Sequence, residues 1–568
     1  MRNIIVGAGP AGLQLGYFFE KKGEEYIILE GSGSVGNFFS KYPKQRKLIS
    51  INKKNVFPIH EETLRHDWNS LINDEKFYLE SEDYYPNADD YVEYLSKFSK
   101  KFNLKIKFNT MIECVNKKDE VFILKDQNNC VYECVNLFIG TGVKAKKQPD
   151  EIHEKVKEIN PNCKVIEYSN MSLDLELYKN KSVAIVGAGN AALETANYLN
   201  KVTQSINIFG YAKSAWQTHY PGNIRSINLS FLDTFFLKQG NSIWSEKRIE
   251  GCDSNLYTKI LIDVHLKILE KFLNASKSGL SYVIFCTGFE PDYSMFNFDL
   301  KTNAGNFPIL NSKFESVNVK NLYFVGTMMQ ESDYKKGTSS FIHGFRYNIE
   351  FLFKCLQNEV VPCEIVGKEN LIKHIEKRFS KTTALYHRLN GFKDIIQKKS
   401  KDRFLYYEDI YTKYANEYIL DLKTTSIEIS IEYGKEKFEQ ITDPSTLFST
   451  MNMEVPPFTH TKYRIYSSKR KMKRIIAGSE TPSSDLNVPS IHFIYIPFIV
   501  NMAINELSDN SIMDFEKQIV ELIYNFYREI TPKEYNIAPK EYYIPTTFYE
   551  HRIKDVKKNV MEALSKNA

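Results

Sequence analysis

Two glycine-rich turns hold the residues of this chain best placed to do chemistry. Gly7-Ala8-Gly9-Pro10-Ala11-Gly12 follows the apolar run Ile4-Ile5-Val6. Gly187-Ala188-Gly189-Asn190-Ala191-Ala192 follows Val183-Ala184-Ile185-Val186, about 180 residues later. Each reads as a short buried strand running through glycines into a helix. The first glycine permits the tight turn, the second lets the backbone approach a pyrophosphate, and the third allows close helix–strand packing. Amides exposed at the helix start favour a diphosphate. Two such loops in one chain imply two nucleotide cofactors, the arrangement that passes electrons from a nicotinamide to a flavin.

The elements around the first loop are legible. Leu13 to Lys22 has helical spacing and stops at Gly23. Tyr26 to Leu29 reads as the second strand, and Glu30 ends it where an acid accepts hydrogen bonds from a ribose. Around the second loop, Asn190 to Asn200 reads as a helix and Ile206 to Phe209 as the next strand. No carboxylate ends that strand; Gly210-Tyr211-Ala212-Lys213-Ser214 follows. An acid there would repel the 2′-phosphate of NADPH, and a basic residue would accept it. This favours NADPH, with Lys213 and Ser214 as candidate contacts; the plain alternative for Lys213 is a solvated surface lysine.

Further strings resemble flavoproteins. Gly31 to Phe39 followed by Tyr42-Pro43 is similar to the segment beside the flavin in flavin-containing monooxygenases, with Asn37 where a second glycine is usual. Leu137-Phe138-Ile139-Gly140-Thr141-Gly142 and Val283-Ile284-Phe285-Cys286-Thr287-Gly288 resemble the turns at which two-dinucleotide flavoproteins cross between domains. Asn321 to Gly326 resembles the strand leading to the ribityl chain, with Thr327 where Asp is frequent. Arg46 to Lys53, Leu64 to Leu71, Thr218-His219-Tyr220 and Phe341 to Tyr347 are similar to the family of FAD-dependent oxidoreductase domain-containing protein 2 and its bacterial relatives. The resemblance covers residues 1 to about 360 and continues weakly beyond.

The resemblance implies two Rossmann-like dinucleotide-binding domains with a mixed α+β C-terminal appendage, an α/β protein. The expected order is an FAD part at 1–148, an inserted NADPH part at 149–285, an FAD part again at 286–362, and an appendage at 363–568. Residues 151–182 read as a connector, irregular at Asn160-Pro161-Asn162. In the appendage, Leu371 to Phe379, Thr382 to Gln397 and Ile512 to Tyr527 read as helices. Thr425 to Glu432 alternates like a half-exposed strand, and Gly478 to Pro489 reads as a loop.

The 568 residues are 42% hydrophobic with a net charge of only +5, so no overall field points to nucleic acid. The basic run Lys469 to Arg474 reads as a solvated face or loop. Ile491 to Ile504 is the richest apolar stretch, but His492, Pro497 and Asn501 interrupt it, so no membrane insertion is expected. The first strand begins within three residues of Met1, leaving no room for a signal peptide, and a cytoplasmic protein is the expectation. The luminal member of the resembling family has a signal sequence and a retention tail, so its quality-control role is not carried over. Eight cysteines are scattered without a Cys-x-x-Cys pair; Cys130 and Cys134 are the nearest two. No set of ligand-type residues has metal-site spacing, and no metal is expected.

The family implies FAD at the first loop. Gly7, Gly9, Pro10, Ala11, Gly12, Glu30, Gly31, Phe39, Arg46, Asn52, Trp68, Asn69, Thr141, Gly142, Gly326 and Phe345 are its candidate contacts. For NADPH the candidates are Gly187, Gly189, Asn190, Ala191, Ala192, Lys213, Ser214, Thr287 and Gly288. His219, Arg225, His343 and Arg346 are candidate substrate-side groups; the plain alternatives are a helix-end or hydrogen-bonding role for His219, a satisfied structural histidine for His343 and structural ion pairs for Arg225 and Arg346. No catalytic base is assigned.

Reduced flavin passes electrons to a dithiol, to oxygen or to an organic acceptor. The missing Cys-x-x-Cys disfavours the first. The expectation is therefore a monooxygenase that transfers an oxygen atom from a flavin hydroperoxide to a small amine or thioether, with molecular oxygen as co-substrate. The monooxygenase signature before the second loop, Phe-x-Gly with a His, has no counterpart in Val165 to Asn170. The alternatives are a thiol-linked reductase and a flavin-bearing interaction protein with little turnover.

Overall fold

The computed structural model describes residues 2–52, 64, 67–73, 76, 77, 80–187, 189–211, 227, 228, 242–246, 280–303, 306–330, 338–388, 391–400, 402–420, 426–433, 460–469 and 472–482. Two five-stranded parallel sheets carry the two glycine loops. In the first, the strand Asn3–Val6 lies centrally, paired with Tyr26–Leu29 on one side and Asn136–Ile139 on the other. Leu322–Phe324 and Ile106–Lys107 complete its edges. Ile4, Ile5, Leu137 and Phe138 are fully buried, because the helix Pro10–Lys22 and a three-stranded antiparallel sheet (Ile112–Lys118, Val121–Asp126 and Val131–Cys134) both pack on this parallel sheet and its strands must be apolar throughout.

The second sheet is built wholly from residues between two visits of the chain to the first. Its order is Ser242–Glu246, Ser205–Tyr211, Ser182–Val186, Tyr282–Phe285 and Lys164–Glu167. A short antiparallel pair, Lys144–Ala145 with Phe289–Glu290, forms where the chain leaves the first sheet and where it returns. The segment read as a connector supplies more structure than expected: a helix at Asp150–Ile159 and the edge strand Lys164–Glu167. The turn between them holds Asn160-Pro161-Asn162.

Local chemistry sets the helix ends. The helix Pro10–Lys22 has proline in its first turn, lysines in its last, and Gly23 beyond it at φ +73°. The helix Ala88–Lys101 starts at Asn87, whose side chain accepts from the Asp89 amide. It buries Tyr91, Tyr94 and Phe98 against the first sheet's core.

Beyond the helix Ile342–Leu356, the chain forms a six-stranded antiparallel sheet ordered Cys363–Val366, Arg403–Tyr411, Phe392–Ser400, Ser426–Tyr433, His460–Lys469 and Met472–Pro482. Its residues Phe392, Ile395 and Tyr411 share the first sheet's core, with Phe314 stacked on Tyr411 at 4.7 Å. The expected helix at Leu371 to Phe379 lies within Lys368–Lys381, and the expected strand is present at Ser426–Tyr433.

Two expectations are corrected here. Thr382 to Gln397 is helical only at Ala384–Arg388 and becomes a strand from Phe392. Gly391 stands between them, with the backbone oxygen of Arg388 2.8 Å from where a Cβ would sit. Gly478 to Pro482 continues a strand instead of opening a loop. The ends of the basic run, Lys469 and Met472 to Arg474, lie on the hairpin formed by the last two strands. The stretches 491–504 and 512–527 lie outside the described residues. Among the described residues no helix is long and apolar enough to cross a membrane.

Candidate functional site

The first loop meets each steric requirement of a dinucleotide turn. Gly7 has φ +105°, and a Cβ on it would lie 2.6 Å from the Gly140 oxygen. A Cβ on Gly12 would lie 2.0 Å from the Gly7 oxygen, so only glycine lets the helix start this close to the turn. Around Gly9 a Cβ would meet nothing within 4 Å, which leaves open space at the position where a diphosphate approaches the backbone. No side chain caps the helix that follows. An open cradle over an uncapped helix start fits the diphosphate of FAD.

Glu30 is oriented by the loop itself. One carboxylate oxygen accepts from the Ala8 amide at 2.6 Å; the other accepts from the Ser32 amide at 2.9 Å and the Ser32 hydroxyl at 2.6 Å. The acid is thereby fixed at the cavity wall.

The second loop repeats the geometry. Gly187 has φ +119°, and a Cβ there would lie 2.2 Å from the Cys286 oxygen. Gly189 has open space around it and starts a helix that no side chain caps. Ala192 stands at the third position and is fully buried. The Thr287 hydroxyl, beside this loop, accepts a hydrogen bond from the side-chain amide of Gln148 at 2.8 Å.

A cavity of about 740 Å³ runs between the two loops. Gly7, Gly9, Pro10, Ala11, Glu30, Gly31, Phe39, Asn69, Thr141, Gly142, Gly326 and Phe345 line it from the first loop's side. Asn190 and Ala191 line it from the second. Gly326, at φ +77°, comes so near the first helix that a Cβ would lie 2.7 Å from that of Ala11.

Other expected contacts are engaged elsewhere, for physical reasons. Arg46 is paired with Asp89 at 2.6 Å and donates to the Phe39 carbonyl at 2.6 Å, so it braces the segment after the first loop and does not line the cavity. Asn52 is buried and donates to the Ser81 carbonyl. Trp68 packs 5.5 Å from the ring of His343, which is itself buried and stacked on Phe341. Arg346 is fully buried and donates to the carbonyls of Leu64, Asp67 and Ser70. Gly12, Gly187, Gly189, Ala192, Thr287 and Gly288 shape or flank the turns without lining the cavity. Ala188, Lys213, Ser214, His219 and Arg225 lie outside the described residues.

The cavity has residues that the sequence reading missed. Glu194, one turn into the second loop's helix, lines it. Burial pushes this carboxyl up to about 7, against a smaller opposing effect from a hydrogen bond with Asn228. Phe38, Tyr42, Tyr168 and Phe289 form an aromatic wall. Phe289 stands edge-on to Tyr42 at 5.2 Å, and Tyr168 is stacked on Tyr42 at 5.6 Å. The backbone amide and side chain of Lys44 donate to the Tyr168 hydroxyl and the Ser169 carbonyl, which fastens this wall across the two sheets. Phe38 and Tyr42 lie in the segment whose resemblance placed it beside a flavin, and Glu194 also had a signal: an acid four residues after the loop's asparagine, on the helix face turned back to the loop.

The described cysteines sit away from the cavity lining. Cys286 is buried beneath the second loop beside Thr195, and burial pushes its thiol up to about 12. Burial does the same for Cys134.

Residues 4–326 match the family model described as pyridine nucleotide-disulphide oxidoreductase. FAD-dependent oxidoreductase domain-containing protein 2 of Mus musculus is 32% identical over 477 residues, covering 76% of this chain and 70% of that protein. The Danio rerio protein of the same name is 30% identical over 450 residues, covering 69% of this chain and 64% of that protein. A solved flavin-containing monooxygenase from Stenotrophomonas maltophilia is similar at 16% identity and a TM-score of 0.46, covering 63% of this chain and 98% of that one.

Proposed function

From the premise that this chain belongs to the pyridine nucleotide-disulphide oxidoreductase family, and to the group of FAD-dependent oxidoreductase domain-containing protein 2, we propose that it is an NADPH-dependent flavin monooxygenase acting on a small amine or thioether. Its cofactors are FAD and a nicotinamide dinucleotide. Gly7 to Gly12, Glu30, Thr141 and Gly326 would hold the FAD, and Gly187 to Ala192 the nicotinamide dinucleotide. When bound, the two cofactors would supply the redox chemistry, the nicotinamide as source of the reducing electrons and the flavin as the group that passes them on to oxygen.

The observation that carries this reading is the cavity lined by both loops and walled by Phe38, Tyr42, Tyr168 and Phe289. The wall gives the space between the loops an apolar lining, which suits a flavin ring and a small substrate. Glu194 presents a carboxyl whose proton equilibrium lies near neutrality, placed to hold or release a proton at its side-chain oxygens. Support for NADPH over NADH comes from the strand Ser205–Tyr211, which ends without an acid and leads toward Lys213.

The test is NADPH consumption by the purified yellow protein across a panel of amines and thioethers. Substrate-stimulated turnover with an oxygenated product supports the reading. Flavin reduction without any oxygenated product overturns it. A thiol-linked reductase is the second reading; it would use a disulfide substrate from solution, since the described cysteines lie off the cavity.

A further inference from the structure

Away from the cavity, three chemistry-bearing side chains meet where the chain enters its antiparallel sheet. Cys363 begins the strand Cys363–Val366 and stands opposite Tyr406 of the strand Arg403–Tyr411. Glu408 lies two residues further along that second strand. Here the pairing with Phe392–Ser400 slips, so that Glu408 and Asp409 together oppose Asp394, and Asp409 takes φ +51°. Bulges of this kind re-aim side chains. His374 arrives from the helix Lys368–Lys381, its ring edge-on to Tyr406 at 4.5 Å.

The Cys363 sulfur, a ring nitrogen of His374 and a carboxylate oxygen of Glu408 all lie within 4.8 Å of one another. The His374 Nε2 is 2.9 Å from the Glu408 carboxylate, so imidazole and carboxylate already face each other beside the Cys363 sulfur. The nearby Arg378 does not fill the role of a cation here. Its guanidinium is already bound to Asp394 at 2.9 Å and Asp409 at 2.6 Å, with Glu408 farther away at 3.6 Å. One guanidinium therefore faces three carboxylates.

We propose that Cys363, His374 and Glu408 bind one zinc-class divalent cation. Thiolate, imidazole and carboxylate together form a donor set for zinc, with bonds of about 2.0–2.3 Å and a fourth position for water. Binding forms a metal–sulfur bond and releases the Cys363 thiol proton to solvent. The ion would tie the helix Lys368–Lys381 to two strands of the sheet. The ligands come from three separate elements spread between positions 363 and 408, which is why no ligand spacing shows in the sequence.

The experiment uses full-length, flavin-loaded protein, first freed of metal by a chelator and then dialysed against zinc chloride at about 10 µM free ion. Bound metal is measured by elemental analysis, and Cys363 alkylation by peptide mass. One zinc per chain is expected, with Cys363 protected from alkylation. Cys363→Ser, His374→Gln and Glu408→Gln should each weaken binding by about 10-fold or more. Unchanged binding in all three variants, or no zinc in the wild-type protein, overturns the proposal. Should a variant lose its flavin or its thermal transition, protection of Cys363 in the wild-type protein decides alone: equal alkylation with and without zinc also overturns it.

Discussion

The Arg346 guanidinium donates to the Ser70 carbonyl oxygen at 2.7 Å, across 276 residues of chain. It also reaches the carbonyls of Asp67 at 2.9 Å and Leu64 at 2.8 Å. Asp67 in turn accepts from the amides of Asn69 and Ser70, closing a tight turn. Phe345 precedes Arg346 and lines the cavity, as does Asn69. One buried cation thus fixes two parts of the cavity wall against each other.

Arg346→Met should leave three carbonyls without their donor and cost about 3 kcal/mol or more. Flavin content should fall with it. Arg346→Lys keeps the charge but lacks the planar fork, and its loss should be intermediate. Thermal melts with and without added FAD check this; a Met variant that melts and retains flavin like the wild type contradicts it.

Gly9 and Gly12 should separate affinity from folding. Gly12→Ala drives a Cβ to 2.0 Å from the Gly7 oxygen, so the turn itself must distort. Gly9→Ala meets no protein atom within 4 Å and should fold normally while filling the cradle. The expected outcome is a wild-type melt for the flavin-free Gly9→Ala protein with FAD affinity reduced about 10-fold or more. Equal FAD affinity in Gly9→Ala and wild type would remove the assigned diphosphate position.

Both loops were legible in the sequence because their demands are local: a glycine where φ is positive, a glycine where two backbones touch, a strand before and a helix after. Glu30 was legible for the same reason. What escaped depends on partners far along the chain. Arg46, expected beside the flavin, is paired with Asp89, a partner 43 residues away that no local pattern marks. Arg346 looks like a substrate group until the carbonyls of 64–70 are seen around it. The strand Phe392–Ser400 was mistaken for helix because its residues are buried along most of its length, so the alternation that marks a half-exposed strand is absent. The aromatic wall joins three stretches far apart in the chain; the first, with Phe38 and Tyr42, was marked by its resemblance to the segment beside a flavin, and no spacing announces Tyr168 and Phe289.

Glu194 makes a pH prediction. Burial holds its carboxyl up to about 7, against an ordinary value of 4.5. Its contribution to stability is fully present below about 4.5 and is lost as pH rises through about 7. Glu194→Gln should therefore gain stability over wild type at alkaline pH, by up to about 3 kcal/mol, and little or none below pH 4.5. Denaturant titrations of both proteins across this range give the difference; a gap independent of pH contradicts the assignment.

Cys130 and Cys134 test whether a dithiol of the protein itself is the electron outlet. Cys134 is buried, its thiol pushed up to about 12, so little thiolate exists at neutral pH, while Cys130 is exposed. The Cys130→Ser, Cys134→Ser double variant should oxidise NADPH at the wild-type rate. Loss of turnover, with flavin content unchanged, would favour a protein dithiol as the electron outlet.

The most direct measurement follows the oxygen atom. The flavin-loaded protein is reduced with NADPH without air, then mixed with isotopically labelled oxygen and an amine or thioether that stimulates turnover. The account predicts one labelled oxygen in the product for each NADPH consumed. NADPH consumption that yields only hydrogen peroxide, or that proceeds only with a disulfide acceptor and leaves every candidate substrate unlabelled, contradicts it.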